Sequence, residues 1–285
     1  MTAALLALGS AGLYGAADFL GGLASRRSSV VAVVVISQLA GLVVLVLMLP
    51  LLPDASPTAR DWAWGSAAGV AGGIGVALLY RALAIGTMAI VAPTTAVCAV
   101  IVPVAAAVAL GERPGAGALG GIALAIVAIA LVSRQATAAA RLNQPDLART
   151  RSVVTALASG VAIGLFFLML AQSGANAGMW PLVGARSLSF LLFLAVALAT
   201  KRSLHMPRDL MVTVASGGVL DMLANLLYLL ASRHGMLSVV VTLSSLYPAS
   251  TVLLARVVLG ERLNSTQTAG IVCALAAVIL IVTTR

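Results

Sequence analysis

An aspartate, Asp18, sits about two-thirds of the way along an otherwise apolar run near 3–24, with Tyr14 one helical turn before it. An ionised side chain inside a membrane costs roughly 2.5–3.5 kcal/mol on insertion scales, so it persists where it meets a cavity or a partner. In a cavity Asp18 would hold a proton or a cationic solute; the plainer reading is a structural pair with an arginine. Asp221 lies mid-way along another apolar run, with Asn225 and Tyr228 following at helical spacing on the same face. Such a polar stripe is expected to line water or to hydrogen-bond between helices rather than to face lipid. Asp18 and Asp221 are the two candidates for proton coupling.

Arg186 opens the second turn of a run that begins at Trp180-Pro181. A buried guanidinium could grip a substrate carboxylate through two parallel hydrogen bonds. Snorkelling to the membrane interface is the competing reading. Arg256 lies close to Gly260-Glu261, which favours snorkelling there. Tyr80, the counterpart of Tyr228 in the repeat described below, and Tyr247 complete the candidate substrate-binding set of Tyr14, Asp18, Tyr80, Arg186, Asp221, Asn225, Tyr228 and Tyr247. Acidic and basic groups together suit a zwitterion. Pro93, Pro103 and Pro248 lie within apolar runs, where a missing backbone donor bends a helix. They are candidate hinges; a static bend is the alternative.

Other chemistries find no pattern. His205 and His234 fall in or beside short connections, and Cys98 and Cys273 lie alone in apolar runs, without metal-ligand spacing. No nucleophile elbow and no phosphate-cradling loop occurs, so no catalytic residue, metal or cofactor is expected. The pairs Gly21-Gly22, Gly72-Gly73, Gly120-Gly121 and Gly217-Gly218 suit close helix approach.

The elements that must carry these residues are membrane helices. Of 285 residues, 61% are hydrophobic and 9% charged, against roughly 25% charged in soluble domains. A net charge of +9 spread between apolar runs forms no stripe for nucleic acid. Hydropathy predicts ten spans, near 3–24, 30–50, 62–84, 88–110, 115–133, 153–172, 178–199, 211–232, 236–259 and 266–284. The first has no basic residue ahead of it and reads as a retained membrane helix rather than a secretion signal. The interval 134–152, with Arg134, Arg141, Arg149, Arg151, Pro145 and Asp146, reads as a polar loop between two five-helix repeats, 1–133 and 153–285.

The two repeats echo one another. Gly86–Arg113 and Gly235–Arg262 align at an offset of 149 residues and both end in Leu-Gly-Glu-Arg. Leu78-Leu79-Tyr80 returns as Leu226-Leu227-Tyr228 at an offset of 148. Five is odd, so the second copy enters the membrane inverted, an arrangement transporters use around a midplane site. Glu112 and Glu261, at helix ends, read as part of the fold. One face collects eleven Arg and Lys residues and the other four, which predicts a cytoplasmic 134–152 loop and outward termini.

The paired Leu-Gly-Glu-Arg closures, each followed by a helix carrying Gly-Ile (121–122 and 270–271), and the opening Tyr14-Gly15-Ala16-Ala17-Asp18-Phe19-Leu20-Gly21-Gly22 resemble the EamA-type transporters of the drug/metabolite transporter superfamily. The resemblance implies an all-α polytopic protein of the cell membrane, a 5+5 inverted repeat. Helices 1–4 and 6–9 would surround a cavity, with helices 5 and 10 to the side. It also implies a secondary transporter moving a metabolite, amino acid or drug, often in exchange for protons. Its expected partners are the small-molecule substrate, the lipid bilayer and protons. A membrane-embedded enzyme or a lipid flippase is the competing reading.

Overall fold

The structure is a computed structural model describing residues 1–86, 88–141, 146–251, 254 and 265–283, with the backbone alone for 88–90, 93, 132–141, 146–149 and 267. Its described residues contain ten α-helices and no strand. They are α1 Thr2–Ser25, α2 Val30–Met48, α3 Ala59–Ile85, α4 Met88–Ala109, α5 Ala116–Arg141, α6 Asp146–Ala171, α7 Trp180–Ala199, α8 Arg208–His234, α9 Leu237–Ser244 and α10 Ser265–Thr283. Within lipid a backbone must satisfy its own donors and acceptors, which an α-helix does. Six helices, α1, α2, α3, α6, α7 and α8, contain apolar stretches long enough to cross a membrane. The apolar segments of the other four are shorter among the described residues. The chain is an integral membrane protein.

Polar residues fix where helices begin. Ser29 accepts a hydrogen bond from the Ala32 amide at 3.2 Å and caps α2. Thr58 and Asp61 form a reciprocal capping box at the start of α3. Glu112, from the end of the α4 connection, accepts the amides of Leu237 and Ser238 at 2.7 and 3.1 Å. It supplies the acceptor that the α9 N-cap residue Met236 lacks.

Two expectations are corrected. The interval 134–152 is no long loop, because α5 runs to Arg141 and α6 starts at Asp146. Hydropathy marks where apolar character ends, whereas the alanine-rich 136–140 segment goes on favouring helix. The span expected over 236–259 is broken. α9 ends at Ser244, Ser245 and Leu246 form a turn, and residues 247–251 are helical again. Pro248 offers no amide to the Ser244 carbonyl and its ring crowds that carbonyl; the Leu246 amide turns instead to Leu243 O at 3.2 Å. By contrast α4 runs unbroken through both Pro93 and Pro103.

Long helix–helix contacts build the bundle. α1 packs along α8, and α3 along α6 and α7. α2 lies in the angle of α7 and α8, α4 rests on α6, and α5 pairs with α10 at one side. Glycine brings the crossings close: Gly69 of α3 lies against the Ala185 carbonyl, and Gly218 of α8 against the Ser37 carbonyl. A β-carbon at either site would collide with backbone. These approaches place helices α1, α2, α3, α6, α7 and α8 around one interior space.

Candidate functional site

That space is a cavity of about 60 Å³, room for a few water molecules. Its walls carry Tyr14 and Asp18 from α1, Gln38 from α2, Phe166 and Phe167 from α6, Arg186 and Ser189 from α7, and Asp221 and Asn225 from α8. Gly69, Gly72 and Gly73 of α3 form a smooth wall without side chains, and Tyr247 enters just after the break in the ninth span.

One hydrogen-bonded chain ties four helices together. Arg186 is 5% exposed and donates through Nη2 to Asp221 Oδ2 and through Nη1 to Gln38 Oε1. Asn225 Nδ2 donates to the Asp221 carbonyl at 2.6 Å and to its carboxylate at 3.3 Å. Tyr14 closes the chain, its hydroxyl donating to Asn225 Oδ1 at 2.7 Å. A buried guanidinium without such partners would be strongly destabilising. Here its charge is matched by Asp221, and helices α1, α2, α7 and α8 are locked in register.

Asp18 stands apart from this chain. It is 9% exposed and lines the cavity, yet among the described residues it accepts no hydrogen bond and pairs with no cation. Two hydroxyls on the cavity wall, Ser189 Oγ and Tyr247 OH, are buried and without a hydrogen-bond partner among the described residues. Aromatic rings frame the space. Tyr14 meets Phe167 edge-on with centroids 5.8 Å apart, and Tyr247 at 6.5 Å.

The profile of the EamA-like transporter family matches residues 1–134 and, a second time, residues 150–283. The chain belongs to the EamA-like transporter family. Membership makes it a membrane transporter of the drug/metabolite type, with a small-molecule substrate. One crystal structure of a protein aligns over 98% of this chain and 95% of its own length, with a TM-score of 0.69 at 14% identity. That likeness shows the fold. A search of curated proteins gives no match.

Within this EamA-like fold the structure gathers Tyr14, Asp18, Arg186, Asp221, Asn225 and Tyr247 around one cavity. Tyr80 and Tyr228 do not line it. Tyr228 is fully buried and donates to the Phe167 carbonyl at 2.9 Å. Tyr80 packs its ring against Gly21 of α1. Both tyrosines fill the joint between one helix and another of the same half. Arg186 is buried and donates to Gln38 and Asp221. Of the proline candidates, Pro248 lies two residues past the turn in the ninth span, and the side chain of Pro93 is outside the described residues. So are the whole of Arg256, Glu261 and Arg262 and the side chains of Arg134, Arg141 and Arg149.

Sequence reasoning missed Gln38 and Ser189. Gln38 carried a readable signal, an amide midway along the otherwise almost wholly apolar α2. Ser189, between Leu188 and Phe190 in an apolar helix, carried none.

Proposed function

We propose that the chain is a secondary transporter of the cell membrane, working by alternating access around this cavity between two inverted five-helix halves, 1–133 and 153–285. The observation that carries the reading is a duplicated set of interhelical hydrogen bonds. Ser10 Oγ donates to the Ala224 carbonyl at 2.9 Å, and Ser159 Oγ donates to the Gly75 carbonyl at 2.7 Å. Donor and acceptor both move by 149 residues, and the halves trade roles. Thr95 Oγ1 to Ala156 O at 3.2 Å and Ser244 Oγ to Ala7 O at 3.4 Å repeat the relation at the same offset.

Helix pairing follows the same exchange. The contact of α1 with α8 corresponds to that of α6 with α3, and α2 with α8 to α7 with α3. Two halves that bind each other through equivalent contacts have two nearly equivalent packings available. Swapping them opens a midplane cavity to one side and then the other. The turn at Ser245–Leu246 with Pro248 is a natural hinge for that exchange, and Pro93 and Pro103 are the further candidates in α4. In this reading the 134–152 interval lies in the cytoplasm.

Proton coupling belongs to the same proposal. Asp18 is its first candidate because it has no counter-ion among the described residues; Asp221, joined to Arg186, is the second. The test is solute flux into liposomes holding the purified protein, with and without a pH gradient, for wild type, Asp18→Asn and Asp221→Asn. Solutes come from a metabolite-export and drug-tolerance screen in cells that lack or overproduce the protein. Gradient-driven accumulation that Asp18→Asn abolishes is expected. Flux indifferent to the gradient would remove the coupling. A lipid flippase or membrane enzyme is the less supported reading, because the matched family is one of transporters.

A further inference from the structure

We infer that the cavity selects a monocationic organic substrate, an amine in its protonated form, with Asp18 as its counter-ion. The inference rests on the transport reading for the site's role, but its evidence is the charge and hydrogen-bond balance of the cavity wall.

Three charged residues line the space: Asp18, Arg186 and Asp221. Mixed signs of this kind suit a zwitterion only while each charge is free. Arg186 is not free. Its guanidinium faces Asp221 on one side and the Gln38 carboxamide on the other, and both Asp221 and Asn225 are oriented by further bonds within the same chain. A substrate carboxylate would have to displace Asp221 from a buried pair, leaving that aspartate uncompensated at high cost. The pair is electrically closed.

The remainder is one carboxylate. Asp18 is buried, lines the cavity, and meets no donor or cation among the described residues. In its ionised form the lined space carries one net negative charge that no described residue matches. Tyr247 OH and Ser189 Oγ line the same space, buried and unpartnered. Buried polar groups that no described residue meets are expensive unless water or a ligand engages them. An ammonium group bears the charge that Asp18 requires and the N–H donors that two hydroxyl oxygens can accept. Tyr14, Phe166, Phe167 and Tyr247 supply the aromatic faces that favour a cation further. Among the described residues an anion finds no free positive group, and a zwitterion gains at one end what it loses at the other.

The test uses the full chain in nanodiscs and matched ligands that differ in charge alone. Phenethylamine, phenylalanine and 3-phenylpropionate form one set; tryptamine, tryptophan and indole-3-propionate form a second. Binding is read by calorimetry. The cation of at least one set is expected to bind tenfold or more tightly than its zwitterion and anion. Asp18→Asn should erase that preference while the melting temperature holds, and Asp18→Glu should keep most of it. Equal or tighter binding of a zwitterion or anion, no binding in either set, or an Asp18→Asn variant that keeps the cation preference would each overturn the inference. The two readings fail separately. Cation binding that depends on Asp18 without any flux would sink transport and leave this inference standing, and flux of an anion or zwitterion alone would do the reverse.

Discussion

Arg186 of α7 donates a 2.5 Å hydrogen bond to Gln38 of α2, the residue 148 positions before it. The same offset separates Tyr80 from Tyr228. A residue touches its own counterpart only on the axis that relates two halves, so under the proposed inverted repeat this contact marks the centre of the molecule. Gln38 is neutral where Arg186 is charged, and Gly73 stands 148 residues before Asp221. Under that repeat the halves differ at both of these cavity positions, as binding an asymmetric solute requires.

The Arg186–Asp221 pair should therefore behave as a unit. Asp221→Ala strands a buried guanidinium and is expected to cost about 3 kcal/mol, read as a lowered melting temperature in detergent. Arg186→Met combined with Asp221→Leu should recover most of that loss. A double variant as unstable as the single one would show that the pair does not act through its charges.

Asp61 and Asp209 hold corresponding positions at the starts of α3 and α8, 148 residues apart, in unlike surroundings. Asp61 is 6% exposed and accepts the Thr58 amide and hydroxyl and, across the bundle, the Gly174 amide at 2.7 Å. Asp209 has a side chain 65% exposed, with Arg27 at 3.6 Å. One end of the molecule is thus latched more tightly than the other. Asp61→Ala should cost about 1–2 kcal/mol, and thiol labelling of an Ala177→Cys probe, buried beside Gly174, should speed up. Asp209→Ala should change stability by less than about 1 kcal/mol. Equal effects would mean that the latches are equivalent in solution.

Glu112 reaches across the halves to hold the first turn of α9. Glu112→Ala should lower stability by about 1 kcal/mol, as the loss of a helix cap does. Glu112→Gln, which keeps an acceptor but loses the charge that favours a helix N-terminus, should fall between. Unchanged melting of Glu112→Ala would deny the carboxylate that role.

Much of this was legible in the residues. Charge inside apolar runs singled out Asp18, Arg186 and Asp221, because lipid tolerates such groups only with a reason. Six of the expected spans followed from hydropathy. Pairing did not, since Arg186 and Asp221 lie 35 residues apart on different helices and spacing within one helix cannot show which partner a neighbour offers. Tyr228 was placed on the right face but one turn too far to reach the cavity. Helix ends beyond the lipid, at Arg141 and Asp146, escaped because polarity reports the solvent rather than the backbone. Prolines proved ambiguous for a similar reason: α4 accommodates two, whereas Pro248 coincides with a break.

The inverted repeat is tested most directly by topology. With Cys98 and Cys273 replaced by serine, single cysteines are introduced at Asp54 and Arg202, exposed positions 148 residues apart. Intact cells are treated with a membrane-impermeant thiol reagent. The expected result is labelling of Asp54→Cys from outside and of Arg202→Cys only after the membrane is opened. Labelling of both from the same side would contradict the inversion and, with it, the proposed exchange of the two halves around the cavity.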